Sequence, residues 1–235
     1  MINKEIILLF IFAFLPAILY VIWIRNTEKY NRERWIPIKI CFLWGATLAV
    51  IAALILEVVL GFSLASSIQD SSLLSLLTVV LIAPVVEEFT KPLALRINAV
   101  KKEIDELEDG LIYGAVAGLG FSATENLFYG WSFFQEGLLI FIFLISLRSI
   151  GACLLHASAT ALTGYGYGKT IMKHTSLLRV LPYFLLAILI HSFYNFLVSY
   201  RMIGIVSGLG AAFLFVFIAI ALVRSKIQTL DKLTC

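Results

Sequence analysis

Leu77-Thr-Val-Val-Leu-Ile-Ala-Pro-Val-Val-Glu87-Glu88-Phe-Thr-Lys91 sets two carboxylates and an ammonium into a stretch that is otherwise lipid-soluble. An ionisable side chain at bilayer depth costs roughly 2.5–3.5 kcal/mol even on the lenient insertion scale, so such groups rarely lack a partner or a purpose. Glu87 and Lys91, four residues apart, share one helix face, and Glu88 sits about 100° around from it. An internal ion pair with Lys91 accounts for one carboxylate and leaves the second unexplained. Pro84 and Pro92 bracket the motif. Each removes a backbone donor and bends a helix, which a membrane tolerates where the bent segment lines a cavity.

The rest of the chain has the same solvent. Of 235 residues, 61% are hydrophobic and 14% charged, against about 45–50% and about 25% in soluble domains. This composition excludes a soluble globular domain, and the net charge of +3 gives no reason to expect a nucleic-acid partner. Apolar runs long enough to cross a bilayer fall at 5–24, 36–60, 73–98, 110–132, 138–167, 178–200 and 202–224. The expected fold is all-α: a polytopic transmembrane helical bundle of about seven spans. It forms a single integral membrane domain over 1–235, with the motif-bearing core at about 73–200. The fifth run is too long for one straight crossing, and Gly164-Tyr-Gly-Tyr-Gly168 is expected to loosen its end. No cleavable signal peptide is expected, because the first run is long enough to span and no A-x-A site follows it. Cys41, Cys153 and Cys235 match no zinc or redox spacing and read as small buried hydrophobes.

Lysine and arginine orient the bundle, because cytoplasmic loops are enriched in them. Arg25, Lys29, Arg32, Arg34 and Lys39 mark the first connection, Arg96, Lys101 and Lys102 the third, and Lys169, Lys173 and Arg179 the fifth; Arg224, Lys226 and Lys232 mark the tail. Only Lys4 and Arg201 lie on the other side. The N-terminus is therefore expected outside and the C-terminus in the cytoplasm. Residues 101–109 read as a short solvated helix, with Asp109 as an N-cap or first-turn acid of the fourth span. Gly114-x-x-x-Gly118 and Gly204-x-x-x-Gly208 are expected to let helices approach closely.

Further polar groups lie in the fourth to sixth spans. Glu125 and Tyr129 are i,i+4 neighbours with Asn126 beside them; a hydrated Glu125 at the outer interface is the plainer alternative. Arg148 and His156 lie on neighbouring faces, where Arg148 either neutralises a glutamate or snorkels. A lone membrane histidine such as His156 is more often a helix–helix hydrogen-bonder than a catalyst. His191 and Asn195 share a face at i,i+4 spacing. His174 sits in a basic loop and reads as solvated. Glu87, Glu125, His156 and His191 all count to within about two turns of mid-membrane. Together they supply a base, an acid and donors for a developing oxyanion, the parts of a water-activating hydrolase.

At these residues the chain resembles the PrsW family of intramembrane proteases, within the wider group of CAAX-prenyl and bacteriocin-processing membrane proteases. The resemblance covers about 80–200 and rests on Glu87-Glu88-x-x-Lys91, Glu125-Asn126-x-x-Tyr129, His156 and His191-x-x-x-Asn195 in that order. Lys91 stands where the related prenyl-protease pattern has a more distant arginine, which favours PrsW. The resemblance implies peptide-bond hydrolysis of a membrane-anchored protein, as in site-1-type cleavage of an anti-sigma factor, in a prokaryotic cell membrane. It implies Glu87 as the base, His156 as its partner, and His191 with Asn195 at the oxyanion. Glu88 and Lys91 would set the field around Glu87, with Glu125 as a further polar wall. A metal-free glutamate mechanism is the expectation, since no His-Glu-x-x-His helix is present. Zn²⁺ held by Glu87, His156 and His191 is the alternative. A proton- or ion-coupled transporter and a non-catalytic scaffold are the rival classes, although no internal repeat supports transport.

Overall fold

The computed structural model describes residues 4–200 and 204–233, so Arg201 and Cys235 lie outside the described residues. Among these there are helices and no strands. α1 (Lys4–Arg25) is followed by α2 (Trp35–Trp44), a π-helical turn (Gly45–Ala49) and α3 (Val50–Ala65), which together form one rod. The next rod comprises α4 (Ser71–Leu77), a π turn (Thr78–Ile82), α5 (Ala83–Thr90) and a 3-10 stretch (Lys91–Arg96). Short α6 (Asn98–Lys101) leads to α7 (Leu107–Gln135) and α8 (Leu138–Met172). A 3-10 turn (Leu177–Val180), α9 (Leu181–Ser199) and α10 (Ile205–Asp231) complete the chain. Each of the seven expected runs coincides with one of these long helical segments.

Six of them are long and apolar enough to cross a membrane by length and composition, and the protein is an integral membrane protein. α7 is the exception, and its surroundings explain why. Every residue from Glu108 to Ala123 is buried, so no face of that stretch meets lipid and it has no need of a lipid-soluble composition. The other helices turn large apolar side chains outward, among them Phe10, Ile55, Leu139, Leu189 and Leu222. Burying apolar surface gives helices little reason to associate in lipid, so close packing and polar contacts must hold them.

The seam between α7 and α8 shows that packing. A Cβ at Gly114 would lie 2.5 Å from Thr160 O, and one at Gly110 2.5 Å from Gly164 O. Gly118 faces the backbone of His156 in the same way. The Gly114–Gly118 pair thus acts as the sequence predicts. Gly164, Gly166 and Gly168 do not loosen α8, which continues to Met172. They let it pack on Gly110, Gly114 and Tyr183, and at 1.5 Å per residue the helix runs about 52 Å. Gly204 instead caps α10 with φ +82, and among the described residues a Cβ there would meet only Ser207 of its own helix.

The segment 101–109 is not the solvated helix expected, although Asp109 is the first-turn acid foreseen for the fourth span. The helix ends at Lys101, and Asp109 is buried at the third position of α7, accepting the N–H groups of Asp105 and Glu106. It completes a capping box with Glu106. The basic connections gather at this end: Asn31 reaches Glu106, Arg34 pairs with Glu103, and Arg224 donates to Thr27. Buried Cys41 and Cys153 are both free thiols.

Candidate active site

Pro84 shapes the segment that carries the glutamates. In an α-helix the Ala83 N–H would serve Val79 O; here it reaches back to Thr78 O. The residue that would replace it in a π turn is Pro84, which has no N–H. Asn195 fills the gap, donating Nδ2 to Val79 O at 2.9 Å. The other π turn is capped likewise, by the Thr124 hydroxyl on Ala46 O at 2.7 Å. At Pro92 the helix tightens to 3-10, and the Trp44 indole donates to Thr90 O at 3.0 Å. Between these two defects the single turn bearing Glu87, Glu88 and Lys91 is turned into the bundle and buried.

The Lys91 ammonium lies 2.8 Å from Glu87 Oε2, 2.9 Å from Glu88 Oε1 and 2.7 Å from His156 Nδ1. It also sits 4.5 Å from the centre of the Phe121 ring, a favourable cation–π placement. Glu88 is the inner carboxylate: Oε2 accepts from the Thr160 hydroxyl at 2.9 Å, and Oε1 takes His191 Nδ1 at 2.9 Å. On the other flank His156 Nε2 lies 2.9 Å from Glu125 Oε2, which Arg148 also contacts at 3.1 Å. Arg148 donates Nε to Asn126 Oδ1 at 3.1 Å and stacks 3.7 Å over Tyr129. Asn126 is buried against Cys153 Sγ. Of the expected alternatives for Arg148 and Glu125, mutual neutralisation is the one observed.

These contacts fix the histidine tautomers. A carboxylate only accepts, so His156 gives its proton to Glu125 through Nε2 and His191 gives its own to Glu88 through Nδ1. The unprotonated nitrogens, His156 Nδ1 and His191 Nε2, then both face Glu87 Oε2, at 3.6 and 3.9 Å. The two rings meet edge to face at 5.0 Å. Glu87 Oε2 is buried and accepts no well-directed hydrogen bond among the described residues, the nearby ammonium being off-axis.

Such a donor set fits a metal ion. The Glu87, His156 and His191 ligand atoms all lie within 4.8 Å of one another. Tetrahedral Zn²⁺ with bonds of about 2.0–2.2 Å spaces its ligands by about 3.3–3.6 Å. Each histidine also has its far nitrogen on a carboxylate, the usual support for a metal-binding imidazole. The expectation of no cofactor therefore lacks support.

Glu87, Glu125, Tyr129, Arg148, His156, His191 and Asn195 line one cavity of about 420 Å³. Glu57, Phe133, Val198 and Ser199 line it too, so it lies toward the end of the bundle away from the basic loops. Glu88 and Lys91 stay behind this wall. A larger cavity of about 850 Å³, among Arg96, Lys101, Lys102 and His174 at the basic end, contains none of these groups. Two contributors were not anticipated. Glu57 is an ionisable residue in an apolar span, the same signal that marked Glu87. Thr160 lies one turn beyond His156, on its face.

Residues 33–223 match the family described as PrsW family intramembrane metalloprotease. The chain belongs to the PrsW family. It is 34% identical over 125 residues to Protease PrsW of Clostridioides difficile (strain 630). That alignment covers 53% of this chain and 51% of the relative, so the chain spans about half the length of the curated PrsW protein it matches. No solved structure matches the chain. The matched region of the family contains every residue of the cavity wall named above.

Proposed function

We propose that this PrsW-family protein is an intramembrane endopeptidase that hydrolyses a peptide bond of a membrane-anchored protein, with a divalent metal held by Glu87, His156 and His191. The observation that carries this reading is the convergence of one buried carboxylate oxygen and two imidazole lone pairs on one point of the cavity wall. Bound there, a metal such as Zn²⁺ supplies a nucleophilic water at neutral pH and polarises the scissile carbonyl. Glu125 and Glu88 hold the two imidazoles in the tautomers that leave Nδ1 and Nε2 free. Arg148, whose Nη2 pairs with Glu125 Oε2 at 3.1 Å, sets a cationic donor at the same wall for a developing oxyanion. Asn195, committed through one N–H to Val79, has a second N–H to offer there. Tyr129 and Phe133 give the substrate an apolar approach.

In this reading the chain crosses the membrane seven times with the basic loops in the cytoplasm, which opens the cavity toward the outer side. A single-span protein such as an anti-sigma factor, cut near the outer face, is the substrate class that suits this geometry. A second reading keeps Glu87 as a free base with His156 as its partner, and one observation favours it. The Lys91 ammonium already lies 2.8 Å from Glu87 Oε2 and 2.7 Å from His156 Nδ1, beside the point where a metal would have to sit.

The test uses the full chain co-expressed with single-span membrane proteins tagged at both ends. Glu87→Gln should abolish cleavage while the protein still accumulates and keeps its helical content. Cleavage by Glu87→Gln at the wild-type rate would end both readings. Chelation by phenanthroline followed by zinc separates them, since the metal reading requires loss and restoration and the free-base reading requires neither.

A further inference from the structure

At the opposite end from the catalytic cavity, five carboxylates from three parts of the chain are buried together. Glu28 and Glu33 come from the connection after α1, Glu108 and Asp109 from the first turn of α7, and Asp231 from the end of α10. Their ligand atoms form two groups that share Glu28: with Glu33 and Asp109, and with Glu108 and Asp231. Within each group every atom lies within 4.8 Å of the others. Two oxygens across a Ca²⁺ ion are separated by about the same distance, twice a bond of roughly 2.4 Å.

None of the described lysines or arginines forms an ion pair with Glu28, Glu33, Glu108 or Asp109, although Arg25 lies near enough to Glu28 and Glu33 to feel their charge. Arginines are close, but their guanidinium groups go elsewhere. Arg25 donates to Glu33 O and Arg32 to Glu28 O, both backbone carbonyls, while Arg224 donates to Thr27 and Arg34 pairs with Glu103. Glu28 Oε2 accepts the Glu33 N–H at 3.0 Å, Glu33 Oε2 takes the Tyr113 hydroxyl, and Asp231 accepts the N–H groups of Lys29 and Tyr30. Glu28 Oε1 and Glu108 Oε1 are left over. Both are buried with no hydrogen-bond partner among the described residues, on side chains 0% and 1% exposed, and both residues belong to the group closed by Asp231. A buried carboxylate oxygen without a partner is costly, and native structures rarely leave one so.

We propose that this end of the bundle holds a hard divalent cation of the Ca²⁺ type, ligated by Glu28, Glu108 and Asp231 with Glu33 and Asp109 beside it. An all-oxygen, carboxylate-rich donor set selects Ca²⁺, Mg²⁺ or Mn²⁺ over the softer metals that suit imidazole, so this site and the histidine-containing one sort different ions. Without a cation, Glu28, Glu33, Glu108, Asp109 and Asp231 crowd five carboxyl groups into one buried volume. A bound cation removes that conflict and ties α1, α7 and α10 together at one end. Because α7 also carries Glu125, the clamp steadies the helix on which the catalytic wall is built.

The experiment uses the full-length protein in neutral detergent with Tb³⁺ alone as the probe, since Tyr113 is positioned to sensitise its emission. The proposal expects saturable emission that Ca²⁺ displaces. Binding should weaken at least about tenfold in Glu28→Gln/Glu108→Gln, because removing ligand charge lowers affinity, and stay unchanged in Glu87→Gln. Absence of saturable emission, or loss in Glu87→Gln but not in the double variant, would overturn it. Displacement by Mg²⁺ at lower concentration than Ca²⁺ would overturn the Ca²⁺-type assignment. Should the double variant fail to fold, wild type still decides, because its melting temperature must rise on adding Ca²⁺ after EGTA; no rise refutes the site.

Discussion

Replacing Gly114 by Ala should disable the protein without touching a polar residue. The new Cβ would meet Thr160 O at 2.5 Å, Ala161 Cα at 3.1 Å and Gly164 Cα at 3.1 Å. All three are backbone atoms of α8, so no side chain can swing aside. Real Cβ contacts essentially never fall below 3.0 Å, so α7 and α8 must separate by about 0.5 Å at least. His156 lies one turn along α8 from Thr160, and its 2.9 Å contact with Glu125 crosses this seam. A displacement approaching 1 Å at a catalytic group costs on the order of 10²-fold in rate, and a loss of about 10–100-fold is expected here. The control is Gly61→Ala, where a Cβ meets nothing within 4 Å. The assay is cleavage of a co-reconstituted single-span substrate in liposomes, with zinc content per protein measured in parallel. Equal activity and metal content in the two variants would refute the claim that the glycine seam sets the site geometry.

Glu125→Gln keeps the shape of the site but replaces an acceptor-only group with one that also donates. His156 is then free to take the other tautomer, and metal affinity, read by zinc competition, should fall about 10–100-fold; unchanged affinity would remove Glu125 from the site. Thr160→Val deletes the hydroxyl that holds Glu88 Oε2 and should lower thermal stability by about 1–3 kcal/mol, as read by unfolding in detergent, whereas Thr160→Ser should keep it. Asn195→Leu leaves Val79 O without its donor and should cost a similar amount, visible as faster hydrogen exchange at Ala83. If Asn195 served only the oxyanion, that exchange would not change.

Much of this was legible in the sequence, because lipid makes charge conspicuous. Glu87, Lys91, Glu125, Arg148, His156 and His191 stand out in apolar runs, and all of them converge. Glu57 is conspicuous by the same rule and lines the same cavity. Helical spacing carried the rest: Glu125–Tyr129 and His191–Asn195 do share faces. Burial outside the spans was not legible. Glu28 and Glu33 sit among the arginines of a connecting loop, where hydration is the ordinary expectation, and only the docking of α7 and α10 takes them out of water. α7 reads as one more apolar run in the sequence, and only the helices that enclose Glu108–Ala123 distinguish it from the lipid-facing spans. Gly164-x-Gly-x-Gly168 reads as looseness in the sequence, and the facing Gly110 and Gly114 make it a contact instead.

His191 and Asn195 have a joint consequence that neither shows alone. They sit four residues apart on α9, about 6 Å along its axis, and each grips a different part of the broken span. Asn195 holds Val79 O in the π turn that Pro84 enforces, and His191 holds Glu88 beyond the proline. α9 therefore bridges the defect. The π turn inserts an extra residue into the helical phase, which rotates everything after it relative to a regular helix by about 100°. Glu87 reaches the imidazole lone pairs only with that rotation in place, so the helix irregularity and the reactive constellation are one construction. Straightening the span would turn Glu87 away from His156, even with every polar residue still present.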